Sequence, residues 1–405
     1  MTRKALIAGG SLGGLFAANL LLDLGWDVHV YERVADDLSA RGAGIGTHTA
    51  LVDTLARLGI PMDARLGWKS GDRTCVDRHG RILYRTYWGH VMSAWANVYR
   101  PLKDRLPKAR YHFSKTLSSF SETSEAVTAR FADGTEASGD LLIGADGLRS
   151  AARAQMFPDV EPNYAGYVAW RSIVDEGTLP EDARKWLDGG YWFVLPKGEM
   201  FLCYQVPTKG RLDWNYVWYY PVTDAKLRDL CTDADGRLHA GGGIPPPLLR
   251  REHIEDIKAD ARRKLAPHLA TLVDVSQPFF QAVFDIESPR LVSRGGRVAL
   301  LGDAAFVARP HIGAGVTKAA LDALCLANSL ARENGLPAAL ARYDALRTEY
   351  GRRAVARARR LGAYIEAKSR PRRAWTEQEL DQRPEHVLNQ VALALEDIPE
   401  LQLEV

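Results

Sequence analysis

Residues 4–33 constrain the fold more than any other stretch of the chain. Lys4–Ala8 is a short apolar run, long enough for one buried strand. Gly9, Ser11 and Gly14 then fill the three positions of a G-x-G-x-x-G turn. Leu15–Leu24 reads as a helix closed by Gly25, and Val28–Tyr31 as a second strand with Glu32 at its carboxyl end. Together they make a βαβ unit of about 30 residues. Gly9 permits the tight turn, Gly14 lets helix and strand pack closely, and Ser11 is small enough for a ligand to approach the backbone. Amide groups leading into the helix, with the helix dipole behind them, attract a pyrophosphate. Glu32, 23 residues after Gly9, can accept a hydrogen bond from a ribose 2′-hydroxyl. A carboxylate there favours FAD or NAD over NADP.

Later segments return to the same α/β character. Leu141–Ile143 reads as a buried parallel strand running into Asp146-Gly147, and Ser150 as the start of the helix Ala151–Met156. Val298–Leu301 is another strand with Asp303 beyond its end, and after Pro310 a glycine-spaced turn enters the helix Val316–Arg332. Residues 41–46 read as a glycine-rich loop, with Arg41 and His48 placed to touch a ligand and Thr49 capping the helix 50–58. The segments Tyr111–Ser114, Ala126–Phe131 and Thr135–Ser138 read as a small β-meander, and Val98–Leu102 as a prelude to a short helix.

Residues 165–285 differ in character. Aromatic and β-branched runs separated by Gly, Pro and Asp turns predict an antiparallel sheet with helical pieces after it. The hairpin 73–88 is assigned to the same unit. The resulting division is a Rossmann-like cofactor domain in three parts (1–72, 98–164, 286–335), a substrate domain (73–97 and 165–285) and a C-terminal helical region (336–405). In that last region one long helix, 336–367, is expected, with arginines 352–360 on a solvated face. The tail from Leu388 is expected to form a helix at a subunit contact, as in a homodimer.

Net charge decides against two classes of partner. A formal charge of +3 on 405 residues is too small to imply nucleic acid or a membrane surface. No apolar run approaches a membrane span, and the glycine turn interrupts anything resembling a signal peptide. Cys75, Cys203, Cys231 and Cys325 form no C-x-x-C pair, which fits a reducing cytoplasm.

The Gly9/Ser11/Gly14 turn with Glu32, the Asp146-Gly147 segment, and Gly302-Asp303 with its following Pro-x-x-Gly-x-Gly together resemble the single-component flavoprotein aromatic hydroxylases, the p-hydroxybenzoate hydroxylase-like family. Residues 161–171 and 302–311 are most similar to its 2,6-dihydroxypyridine 3-hydroxylase branch, including Ile312 where the wider family has glycine. The resemblance implies that Gly9, Ser11, Leu12 and Gly14 hold the FAD pyrophosphate, and Glu32 with Arg33 the adenosine ribose. Arg100 would contact the pyrophosphate or ribityl region, Arg41 is a candidate cofactor contact, and Asp303 would bind the ribityl hydroxyls. Pro310 would lie by the isoalloxazine, Gly313, Gly315 and Val316 would cradle its pyrimidine edge, and Asp146 would support FAD and passing NAD(P)H. The implied activity is NAD(P)H- and O2-dependent hydroxylation of a small hydroxylated aromatic or pyridine-type ring through a flavin C4a-hydroperoxide. His311, His48 and Tyr204 are the candidate orienting or proton-relay groups, His311 first because it follows the flavin-facing proline; Trp192 is a candidate pocket wall. A halogenase, reductase or epoxidase on the same fold, or a non-catalytic FAD module, are the alternatives.

Overall fold

The computed structural model describes residues 2–38, 44–63, 66–87, 89–208, 210–370, 375–393 and 395–402. Lys4–Ala8 sits at the centre of a five-stranded parallel sheet, flanked by Leu141–Gly144 and Val298–Leu300 on one side and Asp27–Tyr31 and Tyr111–His112 on the other. Its strands are short and mostly apolar because helices cover the sheet. The helices Leu12–Asp23 and Gly315–Arg332 pack together in that cover. Both begin at the carboxyl edge of the sheet, where ligands of open α/β sheets bind.

A second sheet of eight strands holds Asn163–Val174, Met200–Thr208 and Arg211–Pro221 at its middle. It is antiparallel except where Tyr191–Val194 runs parallel to Arg73–Val76 of the hairpin Arg73–Val76/Ile82–Thr86. Phe306–Val307 joins its far edge through Phe279–Glu287. Side chains alternate between its faces. Val168, Trp170, Phe201, Cys203, Trp214, Tyr216, Trp218 and Phe280 pack under the helices Arg251–Lys264 and Pro267–Asp274. Tyr167, Ala169, Leu202, Tyr204, Val217 and Tyr219 point the other way, toward the parallel-sheet half.

Several local expectations are corrected. The first helix starts at Leu12, three residues early, because the turn residues themselves enter it. His48, not Thr49, holds the cap position of the helix Thr49–Arg57. Gly44–Gly46 is no loop but a strand pairing with Val91–Ala94. Tyr111–His112 pairs with Asp27–Tyr31 in the parallel sheet, and Leu117–Glu122 completes the meander instead. One helix, Trp95–Arg105, runs through Pro101.

The expected long C-terminal helix is two, Leu336–Leu361 and Ala363–Ser369, parted at Gly362. A Cβ on Gly362 would stand 2.4 Å from Tyr167 Oη and 2.9 Å from His311 Nε2. The arginine face is not simply solvated: Arg357 pairs with Glu400, and Arg359 with Asp285 at 2.7 Å. Among the described residues of the tail the helical pieces are short, Glu377–Leu380 and Pro384–Leu388 with single 3-10 turns at Leu395–Asp397 and Pro399–Leu401, so 389–393 is not the expected helix. All four cysteines are buried and unbonded to one another. Among the described residues, no helix is long and apolar enough to cross a membrane.

Candidate active site

Among the described residues two cavities meet at the glycine turn. The smaller, about 340 Å³, is bordered by Gly9, Ser11, Glu32, Arg33, Asp146 and Gly147. The larger, about 530 Å³, runs from Ser11, Leu12 and Gly13 past Asp303 and Pro310 to the inner face of the eight-stranded sheet. Ser11, Trp95, Ala145 and Gly147 border both, so the two are consecutive parts of one cleft.

The cleft can be tested for FAD on its backbone. Gly9 has φ +106°, and a Cβ there would meet the Ala145 carbonyl oxygen at 2.3 Å. A Cβ on Gly14 would stand 1.9 Å from the Gly9 carbonyl oxygen. Gly14 borders neither cavity; it is the point where helix and turn touch. The helix that starts at Leu12 carries no acid in its first turn, and Ser11 makes no side-chain cap. Its leading amides are thus open to an anion. Glu32 is buried, accepting from Gly10 N at 2.7 Å and Val34 N at 3.1 Å. A carboxylate offers about four acceptor sites, so about two remain for a ribose. These features fit an adenine dinucleotide.

The second half of the cradle is braced by charge. Gly302 N donates to Asp322 Oδ2 at 3.0 Å, while Lys318 Nζ bridges the Gly302 carbonyl and the same carboxylate, 2.9 Å each. Burial pushes the Asp322 carboxyl up, but Lys318 and Arg347 outweigh it and hold it below the usual range. The brace fixes the turn that presents Asp303. That side chain faces open cleft, yet crowding by protein pushes its carboxyl above the ordinary value. Gly313 adopts φ +66°, and a Cβ there would strike Ala392 at 2.7 Å. Gly315 lies at the following helix start with open space where its Cβ would be, bordering the cavity beside Val316.

Most of the expected residues converge here, though not all. Gly9, Ser11, Leu12, Glu32, Arg33, Asp146, Asp303, Pro310, Gly313, Gly315, Val316, His48, His311 and Tyr204 border the cleft. Arg100 is exposed on its helix and borders neither cavity; Trp95, earlier on the same helix, borders both. Arg41 lies outside the described residues. Asp146 also serves the fold, since its Oδ2 accepts from Ala151 N at 2.7 Å, while Oδ1 is buried without a partner. Trp192 is on the wrong face. It stacks on Trp186 at 4.1 Å between ring centres, under the helices. Its neighbour Tyr191 faces the cavity instead.

The three histidine and tyrosine candidates have different settings. His48 has both ring nitrogens engaged, Nδ1 with Thr317 Oγ1 at 2.8 Å and Nε2 with the Leu393 carbonyl at 3.2 Å. Tyr204 packs edge-on against Tyr191, and burial pushes its hydroxyl well above the ordinary value. His311 is buried, with Nε2 2.7 Å from Tyr167 Oη and Nδ1 lacking any partner. Burial, reinforced by Arg309, pushes its imidazolium down to about 3, so the ring is neutral at ordinary pH. Arg309 is itself held by Asp285 at 2.8 Å and Glu366 at 2.6 Å. Tyr167, Tyr219, Arg171 and Gln281 are site residues that local sequence patterns did not mark. The signal that could have found most of them is strand parity: Tyr167, Arg171 and Tyr219 lie at even spacings from cavity-facing residues of their own strands.

The match to known proteins extends over both halves of this cleft. Residues 164–285 match a family described as FAD binding domain-like, a match that falls on the large sheet rather than the glycine turn. The 2,6-dihydroxypyridine 3-monooxygenase of Paenarthrobacter nicotinovorans is 30% identical over 374 residues, covering 90% of this chain and 92% of that protein. The structure of 2,6-dihydroxypyridine-3-hydroxylase from Arthrobacter nicotinovorans is similar with a TM-score of 0.86 at 29% identity, covering 91% of this chain and 94% of that one. A variant of Klebsiella pneumoniae HpxO, solved as its FAD complex, gives 0.74 at 26% identity over 96% and 97% of the two chains.

Proposed function

The chain belongs to the FAD-dependent aromatic-ring monooxygenases, and from that premise we propose that it hydroxylates a small hydroxylated aromatic or pyridine-type ring in the larger cavity, using NAD(P)H and O2. These relatives act on a dihydroxypyridine or bind FAD, which supports that substrate class. The observation that carries the assignment is the continuity of the cleft: a dinucleotide cradle opens through Ser11, Trp95, Ala145 and Gly147 into a chamber walled by the aromatic sheet.

Bound FAD supplies hydride acceptance from NAD(P)H and activation of O2. The chain's residues do the rest. Gly9, Ser11 and Leu12 would hold the pyrophosphate, Glu32 and Arg33 the ribose, Asp303 the ribityl chain, and Pro310, Gly313, Gly315 and Val316 the flavin ring. Leu202, Val217, Tyr219 and Val391 line the chamber with apolar surface that keeps water out. His311 Nδ1 is an unengaged buried atom on that wall. With Nε2–H donated to Tyr167 Oη, neutral His311 can accept a hydrogen bond from a ring hydroxyl at Nδ1 and so orient the ring. Tyr204 and His48 shape the chamber beside it.

The test is a screen of hydroxypyridines and phenols for stimulated NAD(P)H oxidation by FAD-loaded protein, with product masses measured. Addition of one oxygen to a ring substrate is the expected result. Protein that takes up no FAD, or that binds FAD and oxidises NAD(P)H at one rate with every ring, refutes the assignment. His311→Ala should slow hydroxylation and lower the yield of product per NAD(P)H; unchanged rate and yield remove His311 from the mechanism.

A further inference from the structure

Among the described residues two guanidinium groups border the larger cavity, and they are balanced differently. Arg309 is neutralised by Asp285 and Glu366. Arg171 is not: among the described residues no carboxylate pairs with it, and its Nη1 donates to Gln281 Oε1 at 3.0 Å while its Nε is buried without a partner. Asp303, a carboxylate on the cavity wall, is pushed up by burial and then acted on by Lys318, Asp322 and Arg153. The charge of Arg171 is felt on the chamber side: it partly offsets the burial that raises the Tyr204 and Tyr219 hydroxyls.

Placement gives the cation a direction. Tyr167 and Arg171 lie on the same face of one strand, four residues apart, about 13 Å of backbone at ~3.3 Å per residue. Arg171, Gln281 and His311 border the larger cavity, and Tyr167 stands behind His311 as its hydrogen-bond partner, so the strand separates the Arg171–Gln281 pair from the Tyr167–His311 pair. A guanidinium with an unmet buried donor is costly in isolation and is best completed by a planar anion. We propose that Arg171, oriented by Gln281, anchors a negatively charged group of the substrate ring, so that the enzyme selects rings carrying a carboxylate or an ionised hydroxyl. This rests on the hydroxylase assignment and narrows its substrate class.

Calorimetric titration of the purified FAD-loaded chain tests it by binding alone. One arm compares 6-hydroxynicotinate with 2-hydroxypyridine, which lacks the carboxylate. The other compares 4-nitrophenol above and below its own ionisation. In the parent protein the anionic member of at least one arm should bind at least about tenfold more tightly, as a charge-assisted hydrogen bond gives. Arg171→Met should reduce that advantage to about twofold or less, and Arg171→Lys should restore part of it. Gln281→Met keeps the charge but loses its orientation, and should leave an intermediate advantage. No advantage in either arm for the parent protein, or one that survives Arg171→Met, overturns the proposal. Failure of the hydroxylase assignment looks different: the protein would take up no FAD, or no ring would be oxygenated, whatever the preference among rings.

Discussion

Gly14→Ala isolates the contact on which the cofactor cradle is built. The new methyl would sit 1.9 Å from the Gly9 carbonyl oxygen, where ordinary contact begins at 3.4 Å, so the helix and the turn must separate by 3.4 − 1.9 = 1.5 Å. The obstructing atom is backbone, and Gly9 N is tied to the Tyr31 carbonyl at 2.8 Å, so the turn cannot yield without dragging the second strand. The helix must move instead, carrying its leading amides away from the phosphate position. Forcing a methyl into packed protein costs about 1–3 kcal/mol, which should appear as a lower urea midpoint in the apoprotein. Losing one or two charge-assisted amide bonds should weaken FAD by about 10- to 100-fold, measured by fluorescence quenching on titration. Gly315→Ala is the contrasting control. Its methyl meets nothing within 4 Å, so apoprotein stability should stay within about 0.5 kcal/mol of the parent. A Gly14→Ala protein matching the parent in both midpoint and FAD affinity would refute the close-packing argument.

Glu32→Ala removes the ribose acceptor and the partner of two turn amides; FAD affinity should fall by about tenfold or more in the same titration. Arg309→Met strands Glu366 and strips Asp285 of one of its two arginine partners in a buried setting, and should cost about 3–5 kcal/mol in urea unfolding. His311 has a folded value of about 3 against 6.5 unfolded. Between those values the unfolded chain binds the extra proton, so stability falls as pH drops through that window, by at most about 1.4 kcal/mol per pH unit from this group. His311→Gln should therefore show a shallower acid loss of stability than the parent between about pH 7 and 4; identical slopes would contradict the buried neutral ring.

The cradle was legible because its signals are local. Gly9, Gly14 and Glu32 lie within one βαβ unit, and the short apolar strands at Leu141 and Val298 announce a parallel sheet directly. The chamber was legible only in outline, since it is assembled by pairing between strands far apart in sequence. Arg171 meets Gln281 across 110 residues, and nothing near either position marks the pair. Trp192 was misplaced because an aromatic residue in a strand says nothing about its face until the register is known; pairing with Cys203 turns it under the helices. The strand Leu117–Glu122 escaped because its buried Leu117 and Phe120 are three apart, a spacing that suggests no sheet. Gly362 ends a helix for the sake of a contact with His311 that lies 51 positions away.

The alternation in the eight-stranded sheet separates two kinds of evolutionary freedom. Odd positions from Tyr167 to Arg171 and at Val217 and Tyr219 face the parallel-sheet half, with Arg171, Val217 and Tyr219 bordering the cavity, while the even positions between them carry the tryptophans on which the helices rest. The cavity-bordering positions Arg171, Val217 and Tyr219 can be exchanged without touching the tryptophan face, though Val217 and Tyr219 also pack in the core of their own face. The wall of the chamber can therefore change by single side chains while the layer between sheet and helices keeps its own packing.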